Sequence, residues 1–517
     1  MARHLLSFLG TADYQETTYQ YGEDTCSSKF VLHALLNTVC KDWGQQAGDK
    51  ITVFITKDAR ADNWVDVEQK EDQKAKKGLE SYLTEHFQQK KEMDELRYGV
   101  DIQTVDIVDG KNEVEIWKLF NQLTSPILKD DELYLDVTNS FRAIPLLMSS
   151  AAIFARSIQG AKIQAIYYAA FEKENSTVTP IVNLAKFVDI INWSVATELF
   201  VKTGNMDLLG QMYQNAELTE NAGSEQLADM MQKLQTMVAG LDNSQGNVNK
   251  KQTKSPKSKK KETVLEAYHG YLESKKSYDS YCDSEEGQTD YANAPLRKVT
   301  DAITEDIRVF DGIDKKNNED KDYQPLVFGM KAVQWYIQKG RAQTGFTALD
   351  ETMKTYICIK YNLDATSFSN RESGCQEVCK LLSKLSEDKE PEKNQETRDK
   401  AREKWKVSNP DPKSDSENKL KKYFEEHPEE QETYPRLYKN GNPDAIIYGV
   451  TMEFVKLKNK ITNSRNSMNH FGFTENSITE DPLQTLKEYY NEFVEILRKD
   501  NPDVNELKDL RYLKDVD

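Results

Sequence analysis

The stretch Glu132-Leu-Tyr-Leu-Asp136-Val-Thr138-Asn139-Ser140-Phe141-Arg142, continued by Ala143-Ile-Pro145-Leu-Leu-Met-Ser-Ser-Ala-Ala-Ile-Phe154, decides the fold. Leu133 to Val137 is a short apolar run with one acid inside it, the pattern of a buried strand. Thr138, Asn139 and Ser140 are small and polar, suited to turning the chain or capping a helix. From Phe141 the apolar residues recur every three or four positions, which predicts a helix with Pro145 in its first turn, where proline is tolerated. Strand, polar turn and helix together form an anion-binding arrangement, because free backbone N–H groups and the positive helix end converge on one spot. Asp136 ends the strand and Arg142 adds a positive charge beside the turn.

Outward from this stretch, strand and helix alternate at short spacing over the first 170 residues. Strands are expected at 3–10, 51–55, 100–108, 133–137 and 163–169, and helices at 30–43, about 65–92 and 114–123. That alternation implies a parallel, doubly wound sheet, whose ligands bind at the carboxyl ends of the strands where the winding direction switches. Three loops follow strands and therefore lie on that edge: Gly10-Thr11-Ala12-Asp13-Tyr14, Lys57-Asp58-Ala59-Arg60, and Thr138 to Arg142. From 181 onward helical spacing takes over, with helices expected to about Leu241 and again at 262–276, 294–309, 325–340 and 346–361. Asn243 to Lys261 is of low complexity and reads as a flexible linker. Residues 386–431 are rich in Lys, Glu, Asp and Pro and read as an exposed excursion, and Tyr434 to Asp517 returns to packed helix.

Composition narrows the functional classes. The 517 residues carry a net charge of −17, which argues against a nucleic-acid coat protein, since such proteins need a basic face to displace counterions from phosphates. A locally positive cleft on an acidic scaffold remains compatible with RNA cleavage. No apolar run reaches the eighteen residues of a membrane span, and no signal peptide is recognisable, so a soluble cytoplasmic protein is expected. The six cysteines are scattered and complete no zinc set, so neither a metal nor a cofactor is expected.

Asp136-x-Thr138-x-x-Phe141-Arg142 resembles the strand-four motif of CARF domains, the cyclic-oligoadenylate sensors of type III CRISPR defence. Many members read Asp-x-Thr-His-Gly-Phe-Arg, and this chain has Asn139 and Ser140 in place of His and Gly. Phe8-Leu9-Gly10-Thr11 likewise resembles the family's first strand and loop, and Trp193 to Asn205 looks like the helix that leaves the domain. The resemblance implies a Rossmann-like α/β domain that binds cyclic oligoadenylate, with cyclic tetra-adenylate the favoured ring, across a homodimer. The residues implied at the ligand are Gly10, Thr11, Ala12, Asp13, Lys57, Arg60, Thr138, Asn139, Ser140 and Arg142.

Arg465 and His470, separated by four residues in Arg465-Asn466-Ser-Met-Asn469-His470, match the Arg-x(4–6)-His motif of HEPN ribonucleases. None of the other five histidines has an arginine at a permitted distance upstream. Cutting RNA without a metal requires deprotonating a 2′-hydroxyl and stabilising an anionic phosphorane. A histidine near neutral pKa moves the proton, and an arginine offers bidentate donors to the phosphoryl oxygens. Asn466 and Asn469 are placed to orient the phosphate or the histidine. The structural alternative for His470 is a cation capping a helix C-terminus. The resemblance thus implies residues 1–184 as a sensor, 185–262 as connecting helices with the Lys-rich segment, and 263–517 as an all-α HEPN domain with an insertion at about 386–431. In the family, two such motifs from two subunits face one cleft that takes single-stranded RNA. Two alternatives stand beside the ribonuclease. One is a ligand-responsive regulator without nuclease activity. The other is a ring nuclease, in which Thr11, Thr138, Asn139 and Ser140 position a ligand 2′-hydroxyl.

Overall fold

A computed structural model describes residues 2–68, 75–139, 144–170, 178–214, 222–242, 264–289, 293–313, 323–360, 363–365, 367, 370–376, 379, 450–469, 481–508 and 510–513. The chain forms two compact units, Met1–Asn192 and Trp193–Asp517. The expected segments 243–261 and 386–431 lie outside the described residues, as do Ser140, Phe141, Arg142 and His470.

The first unit is built on an eight-stranded sheet: β1 Arg3–Leu9, β2 Thr17–Tyr21, β3 Asp24–Ser28, β4 Lys50–Ile55, β5 Asp101–Asp106, β6 Glu132–Asp136, β7 Lys162–Ala169 and β8 Val178–Asn183. Their spatial order is β3-β2-β8-β7-β6-β1-β4-β5. The five strands read from apolar runs form the parallel core β5-β4-β1-β6-β7. β1 is buried along its whole length, as a central strand must be. Its side chains alternate between two cores: Leu5 and Leu9 face the helices Val31–Asn37 and Leu79–Glu92, whereas Leu6 and Phe8 face Glu113–Thr124 and Ile144–Gln159. Helices therefore cover both faces of the parallel core.

The sheet is mixed rather than wholly parallel, which corrects the sequence-based expectation. β8 runs antiparallel to β7, and β2 and β3 form an antiparallel hairpin that joins β8. β2 and β3 are short and largely polar, so no apolar run marks them. The hairpin turn uses Gly22 at φ 60°, a left-handed conformation that glycine adopts without strain. β8 also shows that strand structure persists past 181, where helical spacing was expected to begin. Two helices are shorter than expected: Val31–Asn37 instead of 30–43, and Leu79–Glu92 instead of 65–92. Gly78 starts the latter, and its amide is taken by the Asp66 carboxylate at 2.7 Å. The Lys57–Arg60 loop is a helical turn, capped by the Thr56 hydroxyl accepting from the Ala59 amide.

The second unit is helical: Asp207–Gln214, Ala222–Asp242, Val264–Cys282, Asn293–Ile307, Gln324–Gln338, Ala342–Lys360, Met452–Asn469 and Pro482–Asp500 are its longer described helices. Tyr356 anchors its core between the rings of Phe454 and Phe493, at centroid distances of 5.4 and 5.9 Å, and its hydroxyl accepts from Asn501 at 3.1 Å. All six cysteines are free thiols, and no described helix is long and apolar enough to cross a membrane.

Two buried histidines make the first unit acid-sensitive. His4 sits inside the sheet with Nε2 2.7 Å from the Thr52 hydroxyl and Nδ1 3.3 Å from Asp131. His86 packs edge-on against Phe87 and His33, and its Nε2 has no hydrogen-bond partner among the described residues. Burial lowers both from 6.5 to about 4. A lowered histidine pKa means that the unfolded chain binds the proton first, so stability is complete above about pH 6.5 and is lost as pH falls toward 4. His86→Leu removes one such group. Urea unfolding at pH 7 and pH 5 should show the variant losing about 1–2 kcal/mol less than the wild type on acidification.

Candidate functional site

The parallel core winds outward from β1 in both directions, first to β4 and β5 and then to β6 and β7. The switch point therefore lies between the carboxyl ends of β1 and β6. The Gly10 and Thr138 loops leave from those two ends. They meet there: a Cβ added at Gly10 would stand 3.8 Å from the Asn139 carbonyl oxygen and 3.0 Å from the Tyr14 hydroxyl.

Asp136 holds this junction. Its carboxylate is completely buried, and one oxygen accepts from the Ser7 hydroxyl of β1 at 2.7 Å while the other accepts from the Thr138 amide at 3.0 Å. Burial pushes this carboxyl up, against the pull of those donors. Thr138 in turn accepts from the Ala169 amide of β7 at 2.9 Å, so its hydroxyl serves the sheet end. The Gly10 amide donates to the Tyr14 hydroxyl at 2.9 Å, and burial pushes Tyr14 up to about 12, which keeps it protonated.

Of the residues named from sequence, Gly10 and Asn139 are brought together, with Thr138 adjoining them. Thr11, Ala12 and Asp13 form an exposed rim. Lys57 is exposed on its helical turn. Arg60 is turned to β5, where Nη2 lies 2.7 Å from Asp106 and donates to the Thr104 hydroxyl at 2.9 Å. Asn63 was not foreseen. It is fully buried and donates to the carbonyls of Gly10 and Ala12 at 2.8 and 3.0 Å, shaping the loop from beneath. Nothing in Arg60-Ala-Asp-Asn63-Trp64 signals that role. Ser7 was also missed, although it is the lone hydroxyl of an otherwise apolar run from Leu5 to Leu9.

In the second unit, Arg465 lies near the end of the Met452–Asn469 helix. Its Nη1 donates to Asp350 at 2.8 Å, and its Nε and Nη2 lie 3.3 and 3.1 Å from the Asn466 side-chain oxygen. Asp350 was not foreseen. It is 1% exposed, and it also accepts from Lys458 and, at 2.9 Å, from the Thr462 hydroxyl. Burial opposes ionisation of Asp350, but the charges of Lys458 and Arg465 outweigh it and hold the carboxyl below the usual range. The arginine fork is thus fixed from the helix interior. The helix is described to Asn469, whose side chain, like His470, lies outside the described residues. Among the described residues no group of three His, Cys, Asp or Glu side chains is placed to hold a metal.

Residues 4–172 match the family model described as the CARF domain of the CRISPR system endoribonuclease Csx1. The chain carries a CRISPR-associated CARF domain. It is also similar to CRISPR-associated protein MJ1674 of Methanocaldococcus jannaschii, at 24% identity over 279 residues, 54% of this chain. That match spans 35% of the relative's own length.

The CARF match covers every strand up to β7, hence both ends of the switch-point crevice. Two substitutions separate the two buried carboxylates. Asp136→Ala leaves the Ser7 hydroxyl and the Thr138 amide without their acceptor. It should cost the CARF domain about 2–3 kcal/mol and speed hydrogen exchange at the Thr138 amide, read by mass spectrometry. Asp350→Ala leaves Lys458 and Arg465 unpaired and should cost about 3–5 kcal/mol, with exchange rising in the Met452–Asn469 helix instead.

Proposed function

We propose that the protein is a type III CRISPR accessory ribonuclease whose CARF domain binds cyclic oligoadenylate and whose helical unit cuts single-stranded RNA without a metal. The observation that carries this reading is the match of residues 4–172 to the CARF domain of an endoribonuclease family, with the Gly10 and Asn139 loops meeting at the switch point. Backbone groups, an exposed rim and the nearby Tyr14 hydroxyl suit a ligand rich in phosphate oxygens and hydroxyls. Cyclic tetra-adenylate is the preferred ring in this reading, and the working form is a homodimer, since one chain supplies one Arg-x(4)-His motif.

In the helical unit, Arg465 and His470 carry the reaction. His470 takes the proton from the ribose 2′-hydroxyl, and the 2′-oxygen attacks the adjacent phosphorus. The imidazolium returns that proton to the leaving 5′-oxygen, giving a 2′,3′-cyclic phosphate and a 5′-hydroxyl end. Arg465, steadied by Asp350, presents planar donors to the phosphorane oxygens, with Asn466 and Asn469 beside it. Domain roles follow the same reading: residues 1–184 sense the ligand and 263–517 hold the HEPN ribonuclease. Ligand binding favours the competent arrangement of the paired motifs, a population shift.

The ring-nuclease alternative asks the Thr138 hydroxyl to serve the ligand. That hydroxyl already accepts from Ala169, which favours sensing over cleavage at this end of the sheet.

The test is cleavage of a fluorescent single-stranded RNA in EDTA, with and without cyclic tetra- and hexa-adenylate. Cleavage is expected only with one ring size. Arg465→Ala and His470→Ala should each lower it at least about 100-fold while ligand binding persists. No cleavage under any condition, despite tight ligand binding, would favour a regulator without nuclease activity.

A further inference from the structure

Asp350, Lys354 and Cys358 follow one another at intervals of four along the helix Ala342–Lys360, and so share one face. The helical turn Asn370–Gly374, with Cys375 after it, is bound to that helix. Arg371 donates to the Thr355 hydroxyl at 2.9 Å and to the Glu351 carbonyl at 2.8 Å, and Lys354 donates to Glu372 at 2.6 Å. The Cys375 thiol donates to the Lys354 carbonyl, with sulfur and oxygen 3.6 Å apart. A helical side chain leans back over the turn that precedes it, so the Cys358 sulfur lies over that same turn. The two thiols accordingly hydrogen-bond to each other. Both are buried, at 0% and 2% exposed.

We propose that Cys358 and Cys375 are a peroxide-sensitive pair that closes reversibly to a disulfide. Their hydrogen bond already divides the two roles. The bond from Cys375 draws the Cys358 thiol below its usual range against the effect of burial, and the Arg371 guanidinium adds to the pull. The same bond, with burial, pushes Cys375 up. Burial pushes Cys26, Cys40, Cys282 and Cys379 up, so Cys358 is the most readily ionised of the six. As thiolate it attacks one oxygen of hydrogen peroxide. The O–O bond breaks, hydroxide leaves and takes up the proton that Cys358 released, and Cys358 becomes a sulfenic acid. The Cys375 sulfur then attacks the Cys358 sulfur. The S–S bond forms, the S–O bond breaks, and the hydroxyl leaves with the Cys375 proton as water. Two thiols are oxidised and one peroxide is reduced to two waters. A dithiol reverses the step by exchange. The burial of the pair admits a small neutral oxidant during local opening and excludes bulky ones. The disulfide joins the Asn370–Gly374 turn to the helix that carries Asp350. It thereby braces Lys354, whose ammonium lies 3.7 Å from that carboxylate. Cys379, four residues after Cys375, lies instead beside Lys458 and Asp350.

The test is peptide mapping of the full chain by mass spectrometry. The folded protein is exposed to hydrogen peroxide at neutral pH, blocked with iodoacetamide and digested without reductant. The expected result is a linked pair of peptides holding Cys358 and Cys375, absent before oxidation and removed by dithiothreitol. Cys379→Ala should leave that link intact. Cys375→Ala should stop it and leave Cys358 as a sulfenic acid that dimedone captures. In the oxidised wild type, hydrogen exchange across 370–376 should slow about tenfold or more while the CARF sheet is unchanged. No link in the folded wild type, or a link from Cys375 to Cys379 in its place, would overturn the proposal. So would a Cys358–Cys375 link that forms only after unfolding in urea. The mapping reads no RNA cleavage, so its outcome is independent of the ribonuclease reading.

Discussion

The first unit depends on one buried carboxylate shared between two strands. Asp136 ends β6, receives the Ser7 hydroxyl from β1, and receives the Thr138 amide from the loop that follows. β1 and β6 are neighbours in space but are separated in sequence by β2, β3, β4, β5 and the helices between them. Their carboxyl ends would otherwise be joined only by the ladder, which pairs β1 to β6 as far as Leu6 and Leu135. The strands must part beyond that point to open a crevice, and the Asp136 bridge fixes how far they do. Both loops that frame the crevice therefore take their position from this side chain. Asn63 supports the Gly10 loop from below, and Ala169 holds the Thr138 hydroxyl from the β7 side.

Much of this was legible in the sequence where burial was strong. The central parallel strands β1, β4 and β6 show as apolar runs because they are mostly buried, whereas the edge strand β5 is only partly so. Asp136 and Ser7 stand out as single polar residues inside such runs, and each proves to be the other's partner. The three strands outside the parallel core were not legible for the opposite reason. Thr17–Tyr21 and Asp24–Ser28 are largely exposed at the sheet edge, so backbone pairing rather than side-chain burial defines them. Residues 65–68 and 75–77 lie in a segment expected to be helical, but Asp66 takes the Gly78 amide and the helix starts there instead. Local propensity lost to a side-chain bond.

The same logic applies in the helical unit and identifies the residue that motif reading passed over. Asp350 lies on the face of its helix that also carries Phe346, Leu349, Met353 and Ile357, all buried. Lys458 lies among Phe454, Leu457 and Ile461 on the facing stripe of Met452–Asn469. One acid on an apolar stripe and one base on another are each unfavourable alone, and they become tolerable when paired. Opposite charges at matching depths on two apolar helices are thus a readable signal that those faces meet. Arg465 joins the pair seven residues after Lys458, two helical turns along the same face.

Asp136 and Asp350 are both almost fully buried, yet their surroundings drive them in opposite directions. Asp136 meets a hydroxyl and an amide, which are neutral donors, so burial prevails and its carboxyl is pushed up. Asp350 meets three cations, Lys458, Arg465 and Lys354, so attraction prevails and its carboxyl is held down. A bridge of neutral donors sets a distance between strands with little net field. A carboxylate kept ionised does something else: it fixes the orientation of a guanidinium while Lys458 offsets much of its charge. Arg465 thereby keeps a positive character that a lone buried partner would cancel. The difference between the two sites lies in what surrounds the acid, and the acid's own identity sets neither role.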